Sequence, residues 1–417
     1  MKQNITRLLK GLKPLELSEY ILFALLLLLL PWNWSFSIML LPLLLLNTLL
    51  RIASRRKAGN PALSRQAHTA LWLLIAFYLY QVFTLLYSAD LQEGLRLLWH
   101  RLPLLLLPLV ALLVDTTYVK AEHRRLILWL FVADMVLKFL VRFGIMLVTK
   151  HDVVLGEVFD PVHHTYISLY VLTAIGFLYF EWHSSRKTLQ PVGLALMAVT
   201  LLLLIAYLVM IQSRTGIVGL VLLAVGVLIH QLFIAKNVRL GLGMLFGALV
   251  LGTALFLMLP QDKRRMTKTL TEATQGDTSD ARFQIAHGAL VAVGDNLPFG
   301  VGIGDGHATL MNAFEVIGYD YGIESEYNAH NSYLDATLTM GLPGLLLLVA
   351  LLALPAWWAF KERKMMLLMF LAFFATGALF EALLNRQMGI LYFALFYTLL
   401  IPSLEHCSAC APAPHKG

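Results

Sequence analysis

A histidine and an asparagine, His330 and Asn331, stand immediately before a long apolar stretch. Imidazole changes its charge near neutral pH, so a histidine placed here can take a proton from a reacting hydroxyl group. Asparagine caps the first turn of a helix or orients a neighbouring ring. The pair therefore predicts a general base at the entrance of an apolar helix, and the structural alternative is an ordinary histidine at a helix start.

Three arginines accompany the histidine in polar segments beside apolar stretches. Arg214 lies in "IQSRTGIVG", Arg386 in "EALLNRQMGI", and Arg282 near the start of "ARFQIAHGALVAV". Guanidinium stays charged when partly desolvated and holds phosphate oxygens in pairs. The arginines therefore indicate a lipid-borne phosphate or pyrophosphate as ligand. Each has an alternative: Arg214 snorkels from a helix end, Arg386 pairs with Glu381, and Arg282 is a plain loop cation.

Other ionisable residues are candidates for supporting roles. His163 and His164 open "HHTYISLY", and Arg142 shares a helical face with Lys138 and Asp134. Because a charge at mid-bilayer costs about 2.5–3.5 kcal/mol on insertion scales, such groups are expected to pair with one another or to line a functional cavity. The alternatives are a helix cap for the two histidines and an internal ion-pair network for the stripe.

The elements that position these residues are predicted to be membrane-spanning helices. The chain has 417 residues, of which 59% are hydrophobic and 14% charged, and its mean hydropathy is +0.73. A soluble protein carries about a quarter charged residues. We predict an all-α polytopic integral membrane protein with about twelve spans. They are placed at 16–31, 34–50, 68–87, 97–114, 126–148, 165–181, 191–211, 215–235, 239–259, 332–360, 365–384 and 388–405.

The distribution of positive charge predicts the orientation. Most lysines and arginines fall in the N-terminal region and in alternate connecting segments, which the positive-inside rule assigns to the cytoplasm. The short segments on the other side carry only Arg96, Arg101, Lys150, Arg214 and Arg386. The net charge of +7 therefore serves membrane orientation, and no nucleic-acid partner is predicted.

The large connection between spans nine and ten is the main departure from a plain helical bundle. Residues 1–259 are predicted to hold spans one to nine, 260–331 a periplasmic loop with short helices, 332–405 spans ten to twelve, and 406–417 a cytoplasmic tail. Loops of this length in compact proteins are usually functional. Helical apolar spacing recurs over 281–293, whereas the glycine run "FGVGIGDG" (299–306) is interpreted as flexible turns.

No metal or cofactor is predicted. Cys407 and Cys410 form half of a zinc-binding pattern without a second half. Carboxylates of the loop offer oxygen ligands to a cation, but their default interpretation is a solvated loop surface.

Taken together, the motifs resemble those of the O-antigen ligase and O-antigen polymerase superfamily of bacterial membrane glycosyltransferases. The similarity lies in "QSRTG", "ARFQIAHGAL", "NLPFGVGIGDG" and "AHNSYLDATLTMGLPG", in this order, and in the large outer loop ahead of the histidine. "HHTYISLY" and "EALLNRQMGILYFALF" are similar too. The resemblance implies an inner (cytoplasmic) membrane enzyme with its site on the periplasmic side.

The resemblance also implies substrates and roles. The donor is a glycan on undecaprenyl pyrophosphate, and the favoured acceptor is the lipid A–core oligosaccharide of lipopolysaccharide. Arg214 and Arg282 would hold the pyrophosphate, with Arg386 as a third candidate, and His330 would act on the acceptor hydroxyl. Pyrophosphate leaves without a general acid, so an inverting, metal-independent displacement is predicted.

Two alternatives remain open at this stage. A polymerase of the same superfamily would use a second lipid-linked repeat unit as acceptor. A secondary transporter for an anion would place its site near mid-membrane between internal repeats, whereas the candidate residues here gather at one face.

Overall fold

The computed structural model describes residues 12–54, 63–114, 120–149, 160, 162–186, 188–211, 213–239, 241–243, 246–247 and 281–404, and its regular elements there are all helices. The helices of the N-terminal part are α1 (Pro14–Leu29), α2 (Trp34–Met39), α3 (Leu41–Ser54), α4 (Arg65–Thr84), α5 (Leu91–Arg101), α6 (Pro103–Leu113), α7 (Ala121–Thr149), α8 (His164–Ser185), α9 (Pro191–Ile211) and α10 (Arg214–Ile229).

The helices of the C-terminal part are α11 (Ala281–Gly294), α12 (Gly306–Val316), α13 (Asp320–Glu324), α14 (Ser332–Lys361), α15 (Met365–Phe380) and α16 (Gln387–Leu400). The predicted helix at 281–293 corresponds to α11. Predicted span 239–259, loop residues 260–280 and the tail with Cys407 and Cys410 lie wholly or largely outside the described residues.

Length and composition identify several of these elements as membrane spans. Within the described ranges, the stretches that qualify are Trp34–Ser54, Arg65–Tyr87, Pro191–Ile211, Thr215–Ile234 and Ser332–Lys361. The pair α5 and α6 adds a sixth if it counts as one span, bent by 43°. Pro103 begins α6 and cannot continue a regular helix, which accounts for the bend. Over the ranges that the structure describes, the protein is all-helical with apolar membrane-spanning helices, and the number of about twelve spans stays a prediction.

Three long helices define the two ends of the bundle. α8 and α14 begin, and α15 ends, at what we call the site end, where Ser332 Oγ donates to the carbonyl oxygen of Glu381 over 2.9 Å. At the opposite end, α14 turns into α15 through Glu362–Lys364. Residues 342–361 of α14, which follow an interruption at Gly341, make about 30 Å of helix, which matches the hydrocarbon core of a bilayer.

The described part of the loop, residues 281–331, has a small core of its own at the site end. Ile285, Ala289 and Phe314 are buried there with Ala329 and Leu338, the last of which belongs to α14. α11 also packs directly on α14. The loop is therefore folded against the span that follows it.

The glycine run is not a set of flexible turns, and the structure corrects that interpretation. α14 is interrupted at Gly341, whose φ is +67°, and the loop backbone fills the gap. Leu342 N donates to Pro298 O over 2.8 Å, and Val301 N donates to Leu338 O over 2.9 Å. A Cβ on Gly300 would lie 2.6 Å from Gly341 N, so these residues are glycine because two backbones touch. The loop thus satisfies the backbone groups that the broken span releases.

A second tether joins the loop to the turn between α4 and α5. Asp305 accepts hydrogen bonds from Ala89 N at 2.6 Å and Asp90 N at 2.8 Å. Gly304 N donates to Ser88 Oγ over 3.0 Å. We call residues 298–305 the glycine clasp, because this segment holds the break of α14 on one side and the α4–α5 turn on the other.

Candidate active site

The central feature of the site end is a histidine–carboxylate pair. His330 Nδ1 lies 3.2 Å from Glu381 Oε2. The Glu381 side chain is 8% exposed, whereas that of His330 is 32% exposed. One ring edge is therefore engaged with a buried carboxylate while part of the imidazole stays accessible. This is the arrangement of an oriented general base.

The start of α14 holds both partners in place. Asn331 caps the helix, since its Oδ1 accepts from Tyr333 N at 2.9 Å and Leu334 N at 3.0 Å. Ser332 Oγ donates to Glu381 O and accepts from Leu383 N over 2.9 Å. The capping role proposed for Asn331 is thus present in the structure. The bridge made by Ser332 ties the histidine and glutamate segments together.

The loop fixes the histidine from the other side. Ala329 is buried in the loop core, and His330 N donates to Asn328 Oδ1 over 2.8 Å. The backbone of His330 has φ +43°, a left-handed conformation that is uncommon for residues other than glycine. Such strain persists only where the surroundings enforce it, and it clusters at functional sites. The edge of the Tyr327 ring completes the enclosure, with ring centroids 5.8 Å apart.

Glu381 is held in its ionised form. Burial alone would raise the pKa of this carboxyl, but the hydrogen bond and positive charge of His330, with the charge of His163, outweigh it. The pKa of Glu381 therefore lies below its ordinary value. His163 thus acts on the same carboxylate, and its ring packs against that of His164 at 4.1 Å. The structure thus brings His163, immediately before α8, near the pair, with the ring of His164 packed against it.

Arg386 and Tyr166 lie on the same side of the site. Arg386 is exposed, and it and Glu381 both act electrostatically on the Tyr166 hydroxyl, with opposite signs. Glu381 contacts His330, so the alternative in which Arg386 serves to pair Glu381 is not what the structure shows. Tyr166 is buried, and within the described part of the chain its hydroxyl has no hydrogen-bond partner. Sequence reasoning missed this tyrosine, although it stands in "HHTYISLY".

The remaining candidates are distributed around this centre. Arg282 is exposed in the first turn of α11. Arg214 begins α10, and its side chain lies outside what the structure describes. The start of α10 packs on the first turns of α8, because a Cβ on Gly216 would lie 3.1 Å from Ser168 Oγ. The backbone of Arg214 is thus at the site end.

Arg142 belongs to an ion-pair network whose acidic member the sequence analysis missed. Lys138 Nζ lies 3.0 Å from Asp160 Oδ1, and Arg142 Nε lies 3.9 Å from Asp160 Oδ2. Asp134 instead accepts from Trp32 Nε1 over 2.8 Å. The structure favours the internal network over a site role for this stripe. Asp160 stands shortly before the α8 histidines and anchors their segment.

A second buried polar network underlies the site. Arg101 donates to Gln81 Oε1 over 2.7 Å and to Asn385 Oδ1 over 2.5 Å. Asn385 Nδ2 in turn donates to Asp335 Oδ1 over 2.7 Å. This network links α4, α5 and α14 to the residue before Arg386. It was not predicted, because its members come from four separate segments.

No three His, Cys, Asp or Glu side chains form a metal-binding group within the described ranges. The site end therefore offers a base oriented by a carboxylate, with a cation and a buried hydroxyl beside it. The protein is thus a membrane protein whose candidate site is a polar centre, able to accept a proton, at the start of a membrane-spanning helix.

A comparison with known protein families matches the part of the chain that contains His330. Residues 198–349 match the family model described as O-antigen ligase, and the match includes Arg214, Arg282 and His330. Over this segment it confirms the resemblance to the O-antigen ligase and polymerase superfamily. The family supports a glycosyltransferase-type activity for the chain. No match was found among curated proteins.

Proposed function

We propose that the protein transfers a glycan from undecaprenyl pyrophosphate to an acceptor hydroxyl at the periplasmic face of the bacterial inner membrane. The favoured reaction is ligation of O-antigen to lipid A–core. The observation that carries the proposal is the His330–Glu381 pair at the head of α14, in a span that overlaps the O-antigen ligase segment. A buried carboxylate behind an accessible imidazole is what deprotonation of an alcohol requires.

The chemistry follows from the leaving group. The acceptor oxygen attacks the anomeric carbon from the side opposite the pyrophosphate, and the bond between that carbon and the phosphate oxygen breaks. The hydroxyl proton passes to His330 Nε2, because Nδ1 faces Glu381. The imidazolium that forms is stabilised by the carboxylate. The electron pair of the broken bond leaves with the pyrophosphate, so the anomeric configuration inverts.

The arginines supply the second requirement, which is neutralisation of the departing diphosphate. Arg386 is exposed beside the pair, and Arg282 is exposed on α11. With Arg214, they are proposed to hold the pyrophosphate oxygens. No metal ion is needed in this proposal, and activity in excess chelator tests that part. A product with retained anomeric configuration would contradict the direct displacement.

The decisive experiment is His330→Ala in nanodiscs with a lipid-linked glycan and lipid A–core. We expect transfer to fall at least about 100-fold, since general base catalysis contributes about 10²–10⁴-fold. His307→Ala is the matched control, because His307 is an exposed histidine of α12 in the same loop. A fully active His330→Ala protein would remove the catalytic assignment.

The same assay separates ligase from polymerase. With lipid-linked glycan alone, a ligase has no acceptor and forms no product. Growth of glycan chains without lipid A–core would assign the polymerase reaction to the same site. Glycolipids of a deletion strain give an independent test, because a lost ligase leaves undecorated lipid A–core and accumulated lipid-linked polymer.

A further inference from the structure

A cavity of about 370 Å³ lies at the opposite end of the bundle from His330. Its walls come from the start of α7, the end of α8, the α14–α15 turn, the first turn of α15 and the end of α16. Because α8, α14 and α15 each run from one end to the other, the cavity and the candidate active site are separated by the length of the spans. The reaction proposed above makes no use of this cavity.

Positive charge dominates the polar lining. Arg124, Arg125, Arg363 and Lys364 line the cavity, with Glu181 as the carboxylate among its lining residues. Arg125 Nε donates to Glu181 Oε2 over 2.8 Å, which neutralises one cation. Arg363 and Lys364 have no carboxylate partner among the residues that the structure describes. The lining therefore carries a net positive charge that favours an anion.

Backbone amide donors border the same space. Met365, Met366 and Leu367 form the first turn of α15 and line the cavity. Their amides have no acceptor within the helix, and Lys364 provides no side-chain cap. A bound oxyanion would supply an acceptor to this turn.

Apart from His183, His230 and Ser403, the rest of the lining is apolar and indicates what chemical group carries the anion. Leu128, Phe177, Phe180 and Leu400 form a wall beside the cations. A free phosphate ion has no apolar part that could pack against this wall. A phospholipid has one, because its glycerol and first methylene groups pack there. Because the part of α14 after Gly341 is about 30 Å long, its end at Lys361, beside the cavity, reaches the headgroup layer.

We propose that this cavity binds the phosphate headgroup of an anionic phospholipid. The phosphate lies against Arg363, Lys364 and the first turn of α15, and the glycerol end lies along Leu128 and Phe177. The site is independent of glycan transfer, so neither proposal depends on the other.

The test uses full-length protein in nanodiscs of phosphatidylcholine with 20% phosphatidylglycerol, followed by native mass spectrometry of retained lipid. Wild type should retain phosphatidylglycerol in preference to phosphatidylcholine. For Arg363→Gln/Lys364→Gln, we expect that preference to fall about 25-fold, since each cation near an anionic lipid contributes about fivefold. Lys364→Gln alone should lose about fivefold, which keeps the test valid if the double variant folds poorly.

The matched control is Arg186→Gln/Lys361→Gln. It removes two cations from the same end, but these lie over the rings of Trp182 and Trp357 and do not line the cavity. We expect this control to keep the lipid preference. Equal losses in both double variants would overturn the site, because they would reflect general surface charge. Thermal stabilisation by inorganic phosphate equal to that by phosphatidylglycerol would overturn the lipid assignment.

Discussion

Replacing Glu381 by glutamine tests the role of the carboxylate behind His330. The change keeps the size of the side chain and removes its charge. If His330 accepts a proton in the transition state, the carboxylate stabilises the resulting imidazolium across 3.2 Å. We therefore expect slower transfer with little change in donor binding, since Glu381 acts through its contact with His330.

The distance of 3.2 Å between His330 Nδ1 and Glu381 Oε2 determines the expected loss of transfer rate. Two unit charges 3.2 Å apart interact by about 1.3 kcal/mol in bulk water and about 5 kcal/mol at an effective dielectric constant of about 20. These limits correspond to about tenfold and about 5000-fold in rate. Because the Glu381 side chain is 8% exposed and that of His330 is 32% exposed, the environment is intermediate. We expect a loss of about 100-fold.

The assay is single-turnover transfer with saturating donor and acceptor in nanodiscs. Glu324→Gln is the control, because Glu324 is an exposed carboxylate in the same loop. A Glu381→Gln protein whose rate stays within twofold of wild type would refute the idea that the carboxylate assists the base.

Glu381→Gln should also change how the thermal stability of the protein depends on pH. The pKa of Glu381 is lowered in the folded protein, so its ionised form contributes stability above the ordinary glutamate pKa of about 4.5. That contribution is lost as pH falls through the lower, folded-state pKa. The thermal stability of wild type relative to Glu381→Gln should therefore shrink as the pH falls below about 4.5. A difference that instead grows below that pH would contradict this reasoning.

Three further changes test the scaffold. Asn331→Ala removes the cap of α14 and should cost about 0.5–2 kcal/mol in thermal unfolding; unchanged unfolding would mean that the cap is replaced by water. Asp305→Ala removes the acceptors of the Ala89 and Asp90 amides, whose hydrogen exchange should accelerate about tenfold or more. Amides that stay protected would show that the glycine clasp holds without the Asp305 carboxylate. Asp160→Asn leaves Lys138 buried without its counter-charge and should cost about 3–5 kcal/mol in denaturant unfolding, and a loss below about 1 kcal/mol would argue against the ion pair.

Local features of the site were predictable from the sequence. The residue type and position of Asn331 indicated a helix cap, and apolar spacing indicated α11. Both depend on neighbours a few residues away, so periodicity and capping preferences are sufficient. The membrane class followed from composition alone, because a chain with 14% charged residues has little other means of burying its apolar surface.

Pairings across the bundle were not predictable in the same way. Glu381 meets His330 only because α14 and α15 pack side by side at the site end, and residue spacing holds no information on that register. Asp160, the partner of Lys138, lies outside the helix whose spacing was analysed. The glycines at 300 and 302 were misread because glycine favours flexible turns and close backbone contact alike.

The glycine clasp has a practical consequence for exchanging loops between family members. Its glycines touch backbone from two other segments, with a Cβ on Gly304 falling 2.0 Å from Asp90 O and one on Gly300 falling 2.6 Å from Gly341 N. A chimera in which only the loop before α14 is exchanged would put a foreign loop against the original α4–α5 turn and the original break of α14. A successful transplant must carry residues 84–90 and 338–342 along with the loop.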